Sequence, residues 1–231
     1  MTVTAAIVPA AGRGERLGPG LPKALRLLGG RPILVHAIRA LTSARSVSLV
    51  VVAAPPDDLD EVRALLKGDE SDCEVRVIAG GDTRQDSVAR ALQCLPSDVD
   101  VVLVHDAARP LVPPELVDAV AAAVRSGACA VVPGVSLADT VKVVDVGGRV
   151  VDTPDRATMR AIQTPQGFDR QVLQAAHASA DLDDPSVTDD AGLVERLGYP
   201  VVVIAGHEEA FKVTRPIDLV LAEAVLMRRR A

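Results

Sequence analysis

The sequence predicts an α/β fold: a Rossmann-like, mostly parallel sheet flanked by helices. Short apolar runs rich in β-branched residues alternate with longer segments of helical period, the rhythm of strand–helix–strand units. The short runs are apolar throughout instead of alternating with polar residues, as strands covered on both faces are. Small residues and glycines gather where the apolar runs end, the edge at which open α/β sheets bind ligands.

Residues 5–9, 49–54, 75–79, 101–105, 128–133 and 201–205 read as strands buried on both faces. Ile33, Leu34, Ala37, Ile38 and Leu41 form one helix face behind Pro32, which suits a first turn. Val88, Ala91, Leu92 and Leu95 repeat that spacing, as do Leu116, Val117, Val120 and Val124 behind Pro113-Pro114. Ile217, Val220, Leu221, Ala224 and Val225 form the last stripe, opened by Pro216. Thr188-Asp189-Asp190 before an amphipathic run reads as a helix N-cap. Arg228-Arg229-Arg230 reads as a solvated, fraying end. Residues 140–152 break the rhythm. Two valine-rich runs around Asp145-Val146-Gly147-Gly148 form a β-hairpin arm at about residues 139–156. No linker or repeat divides the chain, so residues 1–231 are expected to be one domain.

Composition excludes several functions. Hydrophobic residues make up 48% and charged residues 24%, enough apolar side chain to order the chain. One Tyr, two Phe and no Trp cannot build a stacking platform for nucleic acid, and a net charge of −6 argues against phosphate-backbone binding. Cys73, Cys94 and Cys129 show no metal-like spacing, which fits a reducing compartment. The N-terminus lacks a signal-peptide pattern, and no apolar run is of membrane-spanning length. A cytoplasmic location and no membrane association are expected.

The chemistry concentrates at strand ends. Pro9, Ala10, Ala11, Gly12 and Gly14 follow the first strand, then Arg16 and, after Pro22, Lys23. Glycines let backbone N–H groups approach a phosphate chain, and two cations across a stiff Gly/Pro loop can meet one triphosphate. Leu17 stands where the dinucleotide fingerprint needs glycine, and Lys23 does not follow glycine as the Walker pattern requires. A nicotinamide-binding module is therefore disfavoured. Asp106, in His105-Asp106-Ala107-Ala108-Arg109-Pro110, ends a fully apolar strand. It suits magnesium or a ribose hydroxyl, or simply a turn cap. In the segment from Gly80 to Ser87, Gly81 permits close approach, and Ser87 or neighbouring amides suit the edge of a base. Thr164 ends a short strand, and Lys212 precedes the last helix as a second phosphate site or a surface lysine.

Together these segments resemble the 2-C-methyl-D-erythritol 4-phosphate cytidylyltransferases. The first motif is shared with other nucleotidyltransferases. Gly-Gly-Asp-x-Arg-x-x-Ser-Val at 80–88, His-Asp-Ala-Ala-Arg-Pro at 105–110, Asp139-Thr140-Val141-Lys142, Thr164-Pro165-Gln166 and Lys212-Val213-Thr214 are narrower. The resemblance implies that CMP passes from CTP to 2-C-methyl-D-erythritol 4-phosphate, with Mg2+ as cofactor. In its terms Arg16 and Lys23 stabilise the transition state. Arg156 and Lys212 position the polyol phosphate, with Thr140 and Thr164 lining its pocket. Pro9, Ala10, Ala11, Gly12, Gly14, Gly81, Asp82, Ser87, Asp106 and Ala107 hold the nucleotide. Asp106 and Glu209 are the metal candidates, Glu209 standing where many members carry Asp. A homodimer with exchanged arms is also implied. The alternative within this chemistry is a ribitol 5-phosphate cytidylyltransferase, since the nucleotide half sees only CTP.

Overall fold

The computed structural model describes residues 2–12, 23–67, 72–179 and 188–230. Its strands are β1 (Val3–Pro9), β2 (Leu27–Leu28), β3 (Arg31–Pro32), β4 (Leu49–Ala54), β5 (Glu74–Ala79), β6 (Val99–Val104), β7 (Ala130–Ser136), β8 (Val143–Val144), β9 (Val150–Asp152), β10 (Arg160–Ile162), β11 (Gln166–Asp169) and β12 (Val201–Ala205). Its helices are α1 (Ile33–Thr42), α2 (Leu59–Leu66), α3 (Arg84–Gln93), α4 (Pro114–Arg125), α5 (Arg170–Ser179), α6 (Asp190–Arg196) and α7 (Pro216–Arg230).

Eight strands form the main sheet. β1 lies between β4 and β6, parallel to both, and β5 extends the sheet parallel to β4. β11 bridges β6 and β7 in antiparallel register, while β12 pairs with β7 in parallel and β10 antiparallel. The sheet is thus mixed but mostly parallel, flanked by helices. The continuous apolar runs follow from its layering. Ala6 and Val8 of β1 join Val50, Val52 and Leu103 on one face, under Leu34, Ile38 and Leu41 of α1 and Val117, Val120 and Val124 of α4. Ala5 and Ile7 join Val51, Val102 and Val104 on the other, under Val88, Ala91 and Leu92 of α3 and Leu173 and Ala176 of α5. Each fully buried Val, Leu or Ile side chain stabilises this sandwich by about 1.5–3 kcal/mol.

Three expectations need correction. Residues 201–205 do form a strand, but as β12 it is not buried on both faces: Val202 and Val203 are about half exposed, at 44% and 48%. Residues 75–79, in β5, lie only half-buried at the sheet edge. On α7, Ile217, Val220 and Leu221 are exposed; the helix instead packs through Leu219, Ala222, Val225 and Leu226. Those residues join Leu28, Ile33, Leu111 and Val213 in a third cluster. This small core ties the segment after Lys23, the loop after β6 and the segment carrying Lys212 to one helix.

β8 and β9 form the expected hairpin, with its five valines Val143, Val144, Val146, Val150 and Val151 exposed. Asp145 closes the turn, its Oδ1 accepting from the N–H groups of Gly147 and Arg149, both at 2.9 Å. Gly148 sits at φ +77°, where a side chain is disfavoured. Among the described residues no helix is long and apolar enough to cross a membrane.

Candidate functional site

β1, β5 and β6 end at one rim of the sheet, which encloses a cavity of about 260 Å³. Its wall comes from five places: Pro9, Ala10, Ala11 and Gly12 after β1; Ala24 in the turn before β2; Gly81, Asp82, Thr83, Arg84 and Ser87 entering α3; Asp106, Ala107 and Ala108 after β6; and Lys212 and Thr214 before α7. The strand hydrogen bonding continues into these turns, with Ala10 N–H donating to Ala53 O (2.8 Å), Gly80 N–H to Ala54 O (2.7 Å) and His105 N–H to Ile7 O (2.9 Å). Gly80 is required by close approach, because a Cβ there would lie 2.7 Å from Ala11 Cβ. The turn into α3 is fixed by side chains: Thr83 Oγ1 caps the helix on Asp86 N–H (3.0 Å), and Ser87 Oγ accepts from Gly81 N–H (3.0 Å) and donates to Thr83 O (2.9 Å).

Charges of alternating sign run inward from the cavity. Lys212 Nζ donates to Asp106 Oδ2 at 2.8 Å, and Asp106 Oδ1 accepts from Arg84 Nε at 3.3 Å. Arg84 Nη1 reaches Asp190 Oδ2 at 2.6 Å, and Asp190 Oδ1 accepts from His177 Nε2 at 3.0 Å. Burial pushes the Asp106 carboxyl up, but Arg84 and Lys212 outweigh it and hold the group well below the usual carboxylate range. Asp190 behaves alike: burial opposes its charge, and Arg84 with His177 restores it.

Beneath Asp106 lies a neutral relay. His105 is fully buried, with Nε2 donating to Arg109 O (3.1 Å) and Nδ1 accepting from the Thr164 hydroxyl (3.0 Å). Thr164 Oγ1 in turn accepts from Asp106 N–H at 3.0 Å. Burial, only partly offset by the nearby Asp106 charge, pushes the His105 imidazole down to about 4. The unfolded chain protonates this residue near pH 6.5, so between those values only the unfolded state takes up the proton. Its contribution to stability is therefore complete above pH 6.5 and lost as pH falls toward 4, by at most about 3.5 kcal/mol at ~1.4 kcal/mol per unit. Thermal melts from pH 7 to 4.5 are expected to show this slope, flattened in His105→Asn; equal slopes would refute the assignment.

Arg109 braces the same loop, Nη1 donating to Ala210 O (2.7 Å) and Nη2 to Ile162 O (3.2 Å), while Val213 N–H holds Ala108 O at 2.8 Å. Lys212 is thereby held over the Asp106 loop.

The structure brings Pro9, Ala10, Ala11, Gly12, Gly81, Asp82, Ser87, Asp106, Ala107 and Lys212 together on one wall. Gly14 and Arg16 lie outside the described residues; Lys23 opens a 3-10 turn, Lys23–Leu25, whose Ala24 lines the cavity. Thr164 sits behind the wall, bonded to Asp106. Thr140 and Arg156 lie exposed in the arm, away from the cavity lining, and Arg156 Nη1 donates to Ala138 O at 2.7 Å. Glu209 is turned toward α7, where it pairs with Arg228 and Arg229, and Arg229 Nη2 also donates to Leu111 O at 2.7 Å. Arg228 and Arg229 thus form a clasp on Glu209 in place of the solvated end expected there. Arg84, Asp190 and His177 were given no functional role by the sequence. The signal present was Arg84 between two glycine-turn residues and Ser87, and Asp190 just past a helix cap.

The family model for 2-C-methyl-D-erythritol 4-phosphate cytidylyltransferase matches residues 4–228. Enzymes of that name from Frankia casuarinae and Streptomyces coelicolor are 66% and 61% identical, over 97% and 98% of this chain and 81% and 86% of their own lengths. Among solved structures, the cytidylyltransferase of that name from Thermus thermophilus is similar at TM-score 0.77 and 38% identity, covering 98% of this chain and all of its own (100%). A 4-diphosphocytidyl-2C-methyl-D-erythritol synthase from Anaerococcus prevotii has TM-score 0.85 at 30% identity, covering 98% of this chain and 97% of its own.

Proposed function

Because the chain belongs to the 2-C-methyl-D-erythritol 4-phosphate cytidylyltransferase family, we propose that its cavity takes CTP on the β1 and α3 turns and the polyol phosphate beside Lys212. The protein is a nucleotidyltransferase: it moves CMP from CTP to 2-C-methyl-D-erythritol 4-phosphate, yielding 4-diphosphocytidyl-2-C-methyl-D-erythritol and pyrophosphate. A phosphate oxygen of the polyol attacks the α-phosphorus of CTP in line, and the bond to pyrophosphate breaks. The nucleophile is already ionised, so no general base is needed; positioning and electrostatics carry the step.

The observation that carries this reading is the Lys212–Asp106 pair set in a wall of small residues and glycine turns. The turns offer backbone N–H groups to the triphosphate and a narrow slot to the base. Arg16 and Lys23 supply cations to charge developing at the α-phosphorus, and Lys212 meets the attacking phosphate. Among the described residues no three His, Cys, Asp or Glu side chains cluster as a metal cage. Mg2+ is commonly held by substrate phosphates and one or two carboxylates. Asp106 is the carboxylate we assign to it, and the ion when bound offsets charge on the triphosphate. Glu209 is turned toward α7 and does not line the cavity, so it is not assigned to the ion.

The exposed valine arm and the distance of Arg156 from the cavity lining support a homodimer in which each arm serves its neighbour. Pyrophosphate release with CTP tests substrate choice. 2-C-methyl-D-erythritol 4-phosphate is expected to sustain turnover and ribitol 5-phosphate is not, with ATP and GTP far slower than CTP because a purine must displace the Gly81–Asp82 backbone. Equal turnover with ATP would overturn the base assignment.

A further inference from the structure

Asp190 lies outside the cavity wall and has no exposed surface. It is held from three elements. As the first residue of α6 it follows Asp189, whose Oδ1 caps Gly192 N–H at 2.9 Å. Gln166 of β11 grips the same turn, donating to Asp189 Oδ2 (2.7 Å) and accepting from Ala191 N–H (3.3 Å). His177 of α5 donates to Asp190 Oδ1, and its own Nδ1 is buried without a partner among the described residues. The remaining oxygen, Oδ2, faces Arg84 Nη1.

Arg84 is the one member of this group that also lines the cavity. Its planar fork is pinned at both ends, by Asp190 through Nη1 and by Asp106 through Nε. A guanidinium fixed at two nitrogens has a set plane, which leaves Nη2 as the nitrogen committed to neither carboxylate. As a contribution to stability alone, a buried ion pair of this kind is a weak choice, because apolar side chains of similar volume serve as well. What it supplies is a fixed direction for a charge at the cavity wall.

We infer that Asp190 is a positioning residue for cytidylyl transfer: it holds Arg84, and through Arg84 it sets Asp106 and Lys212 at the CTP-binding wall. Without the Asp190 charge, Arg84 keeps Asp106 as its sole anion. Both branches of the fork then draw on the carboxylate that also holds Lys212. The effect falls on nucleotide capture, because Arg84 and Asp106 both belong to the wall assigned to CTP, an assignment this role presupposes. Pyrophosphate release by the unaltered chain tests that assignment separately.

The experiment is a double-mutant cycle of Asp190→Asn and Arg84→Gln, read by steady-state kinetics and by calorimetric binding of CTP with Mg2+. Asp190→Asn is expected to lower kcat/KM for CTP by about ten- to a hundredfold, the worth of one buried charge-assisted bond. In the Arg84→Gln background the same change should cost less than about threefold, since coupled residues are not additive. Equal losses in both backgrounds, or no loss in either, would overturn the role. Should Asp190→Asn fail to fold, His177→Leu and His177→Gln replace it, because His177 touches Asp190 and not the cavity. Loss of CTP affinity in the leucine variant, recovered by glutamine, supports the role. The same affinity in both variants overturns it.

Discussion

Replacing Arg16 or Lys23 by alanine is expected to lower turnover by about a hundred- to a thousandfold, or ~2.7–4 kcal/mol of barrier. The in-line transfer proposed above has no covalent intermediate for the protein to share, so on that mechanism catalysis rests on charge aimed at the α-phosphorus. Gly12 and Ala24, on either side of the segment that carries both residues, line the same cavity. Neither substitution is expected to change folding stability by more than about 0.5 kcal/mol. The melting temperature should therefore move by only about 1–2 °C while the rate collapses. A variant that kept its turnover and lost its melting temperature would show that these side chains serve the fold and not the reaction.

Mixing two inactive variants, Arg16→Ala and Arg156→Ala, should restore activity. Arg156 stands at the base of the arm, exposed, with no arm residue in the described cavity wall. Two-stranded ribbons are marginal on their own in water, and this one exposes five valines, with Val146 fully exposed at 112% of its reference area. Pairing two arms across a two-fold axis covers those valines and brings each Arg156 toward the neighbouring cavity. If Arg156 acts there, a mixed dimer holds one site with both arginines and one with neither. Random subunit exchange makes half of the dimers mixed, so activity should return to about a quarter of the unaltered level. If Arg156 serves its own chain, every mixed site lacks one arginine and nothing returns. Lasting inactivity after confirmed exchange would reject the shared site.

The sequence was most legible where the surroundings are uniform. β1, β4 and β6 are covered on both faces, so nearly every residue is apolar and the runs stand out. β12 gave the same run of aliphatics although it lies half-exposed, because valine suits a strand whether or not a helix covers it. α7 misled for a related reason. It carries apolar residues on two faces, and sequence spacing alone cannot say which one meets Leu28 and Val213. α2 went unread because it buries only Val62 among charged neighbours. β11, spelled Gln-Gly-Phe-Asp, shows no strand pattern; its place between β6 and β7 is decided by tertiary packing. The candidate site was legible in its glycine turns, in Asp106 beside a recognisable strand end, and in Lys212 just before the last helix. The inner charges were not. Arg84 and Asp190 are 106 residues apart, and nothing local announces that the two will meet.

The clasp at the end of α7 sets an order on the birth of the enzyme. Leu111 belongs to the loop that carries Asp106, yet Arg229, which holds its carbonyl, lies 118 residues further on. Lys212 and the Glu209 that receives Arg228 and Arg229 are likewise late. A chain emerges from the ribosome N-terminus first, so the cavity turns near Gly12 and Gly81 are made long before the residues that complete their wall. A nascent chain therefore carries half a pocket and no working centre. Lys212 and the clasp residues Arg228 and Arg229 join that wall and its support only after most of the preceding sequence has emerged.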